Sequence, residues 1–269
     1  GELYMKSVKK LNEANEDERT KYEEEISKIL QKLDEKDEDL TNDWEMTRDW
    51  SIQDFAEIYS WLDVSFDHIF YESDVDDAGR KIVIDGLKKG IFERSEGAIG
   101  VNLEKEDLGF FLLLKSDGNT LYSTKDLALA KLKFEKFGVK KSIYVVGAEQ
   151  TLHFNQVFAT LRIMGYEQVD NCFHLPYALV TLPQGKMSSR EGNVILFSKL
   201  RDEIIQNILS EHLLENRSNW SSQELEETAQ KIAVAALKYG MLSQDTNKQI
   251  VFSLNDWLVS EGDTGTYLV

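Results

Sequence analysis

The sequence predicts an α/β fold that carries an antiparallel insertion and is flanked by helical segments. Three observations lead there. From Thr124 onward, helical and strand patterns alternate: Leu127, Ala128, Leu132, Phe134 and Phe137 mark a helix ending at Gly138, and Ser142 to Val146 is a short β-branched and aromatic run. A helix from Gln150 to Met164, stopped by Gly165, and a strand from Tyr177 to Leu182 complete the alternation. Alternation of this kind builds a parallel sheet, whose ligands gather at the carboxyl ends of the strands. Upstream, Ala98 to Leu103 and Gly109 to Leu114 read as strands. The second runs into the turn signal Ser116-Asp117-Gly118-Asn119, with Leu121-Tyr122 expected to pair back across it, so this portion is antiparallel. Finally, both flanks carry helical periodicity.

Tyr22, Ile26, Ile29, Leu30 and Leu33 place one or two amphipathic helices between Glu13 and Leu40. A further helix carries Ile52, Phe55, Ile58, Tyr59 and Leu62 on one face, with Ser51 as its expected N-cap. Val64-Ser65-Phe66 reads as a short strand, followed by an acidic turn around Tyr71 to Asp74. Lys81 to Phe92 reads as a helix closed by Gly90. After Phe197 the expected helices are Leu200 to Leu213 and Ser222 to Leu242, the second with a small-residue centre at Ala233, Ala235 and Ala236.

Of 269 residues, 42% are hydrophobic and 29% charged, a globular composition with no run near the roughly 18 apolar residues of a membrane span. The single cysteine, Cys172, leaves no internal disulfide and no multi-cysteine metal site, which suits the cytoplasm. The net charge of -17 opposes indiscriminate nucleic-acid binding. Locally, lysines 125, 131, 133, 136, 140 and 141 stand against Asp126 and Glu135, which fits either a solvated helix face or a phosphate-binding patch. Gly1 at one end and the apolar Gly265-Thr266-Tyr267-Leu268-Val269 at the other suggest an internal piece of a longer protein.

Neither G-x-x-x-x-G-K-[ST] nor G-x-G-x-x-G occurs. The informative segment is Gly185-Lys186-Met187-Ser188-Ser189-Arg190-Glu191-Gly192-Asn193, which follows a strand and Pro183. It is either an ordinary solvated loop or one whose cations, hydroxyls and glycines wrap a polyphosphate. Lys186 to Arg190 resembles the KMSKS signature of class I aminoacyl-tRNA synthetases. Three further segments resemble arginyl-tRNA synthetases in order and spacing. They are Ser116-Asp117-Gly118 leading to Tyr122-Ser123-Thr124-Lys125-Asp126, then Val146-Gly147-Ala148-Glu149-Gln150 with His153, and Glu261-Gly262-Asp263-Thr264-Gly265-Thr266-Tyr267, close to E-G-N-T-G-x-Y. The resemblance covers about residues 44 to 269.

The resemblance implies the second half of a Rossmann-like nucleotide-binding fold, without the H-I-G-H half and most of the anticodon-binding domain. It divides the chain into an acidic helical connective segment (1–50), the catalytic half-domain (51–197, with an antiparallel insertion at about 77–123) and the helical start of the tRNA-binding domain (198–269). Tyr122, Asp126 and Gln150 would line the arginine pocket; Asp126 read alone is also a helix-start carboxylate facing the dipole. A carboxylate accepts the guanidinium fork with two charge-assisted hydrogen bonds. Gly147, His153, Lys186 and Met187 would meet the nucleotide, although His153 read alone is as well a packing residue. Lys186, Ser188, Ser189 and Arg190 would act on the phosphates. His68, His174 and His212 read as packing residues.

The implied substrates and partners are L-arginine, ATP with Mg2+ and tRNA(Arg), with no protein metal site, no membrane partner and a monomeric parent. Two rivals are a paralogue that binds or adenylates arginine without charging tRNA, and a non-catalytic binding module retaining the fold.

Overall fold

The structure, a computed structural model, describes residues 2–182, 185–186, 196–213, 215 and 218–258. The chain divides into two compact units. One comprises Gly1–Phe66, Val180–Asp245 and Ile250–Val269; the other comprises Asp67–Leu179 and Thr246–Gln249.

The first unit opens with three helices, α1 (Glu2–Glu13), α2 (Glu16–Asp34) and α3 (Glu38–Trp61). A reciprocal cap starts α2: Asn15 Oδ1 accepts from the Glu18 N–H at 3.0 Å, and the Glu18 carboxylate accepts from the Asn15 N–H at 3.2 Å. Such a cap contributes about 1 kcal/mol. Asp37, not Ser51, caps α3, accepting from the Leu40 N–H at 3.1 Å. Ser51 instead lies mid-helix and donates to the Thr47 carbonyl at 3.1 Å, since no Gly or Pro between 38 and 61 breaks the ladder. The expected strand Val64–Phe66 does not form. The Val64 N–H closes the end of α3 on the Tyr59 carbonyl at 2.9 Å, and the Phe66 ring meets Tyr59 edge-on at 4.8 Å.

The second unit begins with α4 (Asp76–Lys88), followed by β1 (Glu93–Ser95), β2 (Ala98–Asn102) and β3 (Phe110–Leu114) in an antiparallel sheet of order β1-β2-β3. The antiparallel insertion is therefore present. Its expected return at Leu121-Tyr122 shrinks to one bridge, Leu114 with Thr120, because Leu121 caps the next helix and Tyr122 begins it. Then come α5 (Tyr122–Phe137), β4 (Ser142–Gly147), α6 (Thr151–Ile163) and β5 (Cys172–Tyr177). Gly138 and Gly165, at φ +60° and +73°, terminate the two helices in the left-handed region that only glycine adopts at little cost.

β4 and β5 pair in parallel, from Ser142 opposite Cys172 to Gly147 opposite Tyr177. Thus β5 starts five residues earlier than the strand expected at Tyr177, and the chain breaks before β6 (Val180–Leu182). His174 and Pro176 hide it from a propensity reading. Its pairing in a two-stranded sheet makes β5 an edge strand, which tolerates proline. A buried core of Val83, Leu103, Leu113, Leu127, Val157 and Leu161 joins the hairpin sheet to α4, α5 and α6.

The first unit resumes with β6, β7 (Gly185–Lys186), α7 (Phe197–Asn207), α8 (Ser222–Leu242), β8 (Ile250–Val251) and α9 (Leu254–Trp257), the three short strands ordered β7-β6-β8. Ala229, Ala233 and Ala236 of α8 are buried with Ile204 and Ile208, so the small-residue helix centre does allow close packing. Among the described residues no helix is long and apolar enough to cross a membrane.

α4 and α5 pack closely at Gly79, where an added Cβ would lie 2.7 Å from the Thr124 carbonyl oxygen. Alanine at this helical position would gain about 1 kcal/mol of propensity, but its methyl group would push on backbone. The expected outcome for Gly79→Ala is net destabilisation on the order of 1–2 kcal/mol. Urea unfolding of the variant checks it, and equal or higher stability would show that α4 yields freely.

Candidate active site

The first turn of α5 is fastened to β3 by two hydroxyls. Ser123 donates to the Leu112 carbonyl at 2.6 Å, and Thr124 donates to the Leu113 carbonyl while accepting from the Leu121 N–H at 3.2 Å. Both side chains are buried and both are satisfied. Tyr122, between cap and anchor, is 70% exposed. Lys125 turns the other way, to Glu72 at 2.6 Å and Asp76 at 3.8 Å. The hydrogen bond to Glu72 holds the Lys125 ammonium above its ordinary range.

One turn after Tyr122, the Asp126 carboxylate meets α6. Its Oδ2 lies 2.6 Å from His153 Nε2. An ionised carboxylate only accepts, so the imidazole donates from Nε2. The His153 ring packs edge-on against Phe111 at 5.6 Å and Phe154 at 5.3 Å. Gly147 ends β4 and is buried, whereas Gln150 is exposed in the short turn that leads into α6. The Glu149 carboxylate folds back over Gly147, occupying the space a Cβ would need. Asp126 and His153 are thus hydrogen-bonded partners, while Gly147 and Gln150 precede His153 in the chain, at and just after the carboxyl end of β4.

Beneath this group lies a residue the sequence reading treated only as part of a basic run. Lys133, two turns after Asp126 on α5, donates to Ser142 Oγ at 2.7 Å and sits 3.7 Å over the Tyr144 ring. Burial is the main cause that lowers its ammonium from 10.5 to about 8, with Cys172 and Asp126 opposing the shift. Burial likewise raises the Tyr144 phenol and the Cys172 thiol. Spacing offered one signal: seven residues separate Asp126 from Lys133, which puts them on one helix face. Lys125, Lys131, Lys136 and Lys141 face aromatic rings or carboxylates, Lys131 meeting Glu135 at 3.4 Å and Lys141 the Phe173 ring at 4.3 Å. The run therefore does not converge on a single phosphate-sized cluster; its lysines are spread around α5 and its exit.

Lys186 is placed by its backbone in β7, opposite Thr181 of β6. Met187, Ser188, Ser189 and Arg190, and the segment Glu261 to Tyr267, lie outside the described residues. Of the other histidines, His68 packs on Phe70 and Phe137, and His174 bonds the Val146 carbonyl at 3.0 Å. His212 lies in the helical turn after α7. Among the described residues no group of three or more His, Cys, Asp or Glu side chains could hold a metal ion.

Polar side chains gathered where a parallel strand pair ends and a helix begins are the layout of an α/β ligand-binding unit. Residues 1–254 match the family of tRNA synthetases class I (R), catalytic domain, and the chain belongs to that family. It is 44% identical over 245 residues to an arginine–tRNA ligase of Bdellovibrio bacteriovorus, an alignment covering 91% of this chain and 42% of that protein. Against the arginine–tRNA ligase of Lactococcus lactis the identity is 38% over 267 residues, covering 99% of this chain and 46% of the relative. The chain thus spans less than half the length of these relatives. Among solved structures, it superposes on arginyl-tRNA synthetase of Thermus thermophilus with TM-score 0.78 at 21% identity, covering 96% of this chain and 48% of that one. The Plasmodium falciparum enzyme gives TM-score 0.74 at 22% identity, covering 93% and 43%. These two likenesses establish the fold.

Lys133 yields a pH-dependent expectation. Its folded value lies below its unfolded one, so between about 8 and 10.5 the unfolded chain binds more protons and stability rises with pH. Relative to Lys133→Met, the wild-type chain should gain about 2 kcal/mol across that window, screening by partial exposure included. Urea unfolding of both proteins from pH 7 to 10.5 measures the difference, which cancels most of the Cys172 and Tyr144 titration. A flat difference would show that Lys133 is charged and well solvated throughout.

Proposed function

We propose that this chain forms part of an arginine–tRNA ligase of the cytoplasm, with Asp126 as the receptor for the substrate guanidinium. The observation that carries this reading is the part-buried Asp126 carboxylate on α5, one turn from exposed Tyr122 and bonded to His153 in the first turn of α6, the helix that follows β4 and Gln150. A carboxylate held there can accept two parallel N–H bonds from the planar guanidinium, a geometry that an ammonium cannot match. The family membership and the arginine–tRNA ligase relatives support the same substrate.

In the proposed reaction, the carboxylate of L-arginine attacks the α-phosphorus of ATP. An O–P bond forms, the bond to the β-phosphate's bridging oxygen breaks, and pyrophosphate leaves. A terminal ribose hydroxyl of tRNA(Arg) then attacks the carbonyl carbon of the adenylate; it loses its proton and AMP departs. Lys186 would neutralise charge that builds on the α-phosphate, with Arg190 as a second cation and with Ser188 and Ser189 contacting the phosphates beside Met187. Gly147 would let the nucleotide approach the backbone. The Glu149 carboxylate above it repels phosphate and accepts from hydroxyls, so that surface suits the ribose. Mg2+ belongs to the ATP phosphates in this reading and no step is routed through it.

The test is attachment of labelled arginine to total tRNA by the product of the full open reading frame that encodes this chain. Asp126→Asn keeps the shape but loses the charge, and arginine attachment should fall on the order of 100-fold or more, two charge-assisted bonds being weakened. Binding of ATP should stay within about twofold, because Asp126 acts on the side chain of arginine alone. Normal charging by the variant would overturn the pocket assignment. Binding of arginine and ATP without any charging by the wild type would favour the paralogue.

A further inference from the structure

We infer that His153 is a positioning residue of the arginine pocket, holding the Asp126 carboxylate in the orientation that receives the guanidinium, and that it does not contact the nucleotide phosphates. The inference rests on the reading of Asp126 as the arginine receptor. Three observations carry it. His153 Nε2 lies 2.6 Å from Asp126 Oδ2, a short charge-assisted bond between neighbouring helices α5 and α6. The imidazole is fixed from two sides, by Phe111 from β3 and by Phe154 from its own helix, both edge-on, so it has one orientation from which to donate. The carboxylate is about a quarter exposed at 25%, and among the described residues its Oδ1 makes no hydrogen bond, leaving that oxygen accessible to a ligand.

The same geometry argues against a phosphate role. With Nε2 committed to Asp126, only Nδ1 of a ring wedged between Phe111 and Phe154 is left for any other partner. The side chain is also only 21% exposed. What remains is orientation. A free aspartate rotates about two bonds, whereas one clamped by a fixed donor presents its other oxygen in a constant direction, and a misplaced binding group costs far more than its distance suggests. Lys133 lies deeper on the same face of α5 and keeps cationic charge near the pair without taking the carboxylate.

Two variants separate the roles while preserving bulk. His153→Phe keeps the ring packing and removes the donor. His153→Gln replaces the imidazole by an amide whose terminal N–H2 has similar reach. In the aminoacylation assay with the full open reading frame, the phenylalanine variant should raise the KM for arginine about tenfold and leave the KM for ATP within about twofold. The glutamine variant should recover the arginine KM to within about threefold of wild type, which a merely structural role would not produce. Thermal unfolding of both variants within a few degrees of wild type confirms that the fold is kept. An unchanged arginine KM in the phenylalanine variant, a rise confined to the KM for ATP, or equal damage in both variants would overturn the inference and leave the ligase reading standing. No arginine attachment by the wild type would overturn that reading, and the inference with it.

Discussion

Two side-chain hydroxyls at the start of one helix determine where the candidate pocket lies. Ser123 and Thr124 are both buried, and both donate into carbonyls of β3, at Leu112 and Leu113. A buried hydroxyl without a partner costs one to several kcal/mol, so these contacts are obligatory once the helix is packed. They hold the first turn of α5 against the hairpin sheet, and Gly79 lets α4 close on the same turn from another side. Tyr122, Asp126 and Lys133 all project from the helix so fixed. Their directions follow from its rotation, and a small slip of the anchor would turn the carboxylate away from α6.

From that anchor a layered polarity results. At the outer end Tyr122 meets solvent and Lys125 pairs with Glu72. In the middle, Asp126 bonds His153. At the inner end Lys133 is held by Ser142 and by the face of Tyr144, where burial disfavours its charge. An acceptor-only carboxylate is what a guanidinium fork needs in the proposed reading. Structural and functional demands therefore meet in the same few side chains.

The β4–β5 pair shows how far one unit can bury its own surface. Ser142, Tyr144 and Cys172 are buried, while Ile143, Val145, Phe173, Leu175 and Tyr177 are each more than 40% exposed. Strand side chains alternate between faces, so the helices of this unit cover one face of the pair and leave an apolar face open.

Much of this protein was legible in its residues alone. Glycines 138 and 165 ended the helices where they were expected to, the runs at Ala98 to Leu103 and Gly109 to Leu114 announced the antiparallel strands β2 and β3, and the alternation after Thr124 announced a parallel pairing. Local backbone chemistry decides such features, and local sequence carries it. The placing of Tyr122 and Asp126 one turn apart was legible too, since residues four apart share a helix face wherever that helix goes. Tertiary structure decided the rest. β5 formed despite Pro176 because a neighbouring strand offered it a partner. The bond between Asp126 and His153 joins residues 27 apart, on two helices whose relative placement is set by a shared core. No periodicity encodes that meeting. It arises from packing, which is why a histidine readable from sequence as either core or site proves to be the hydrogen-bond partner of Asp126.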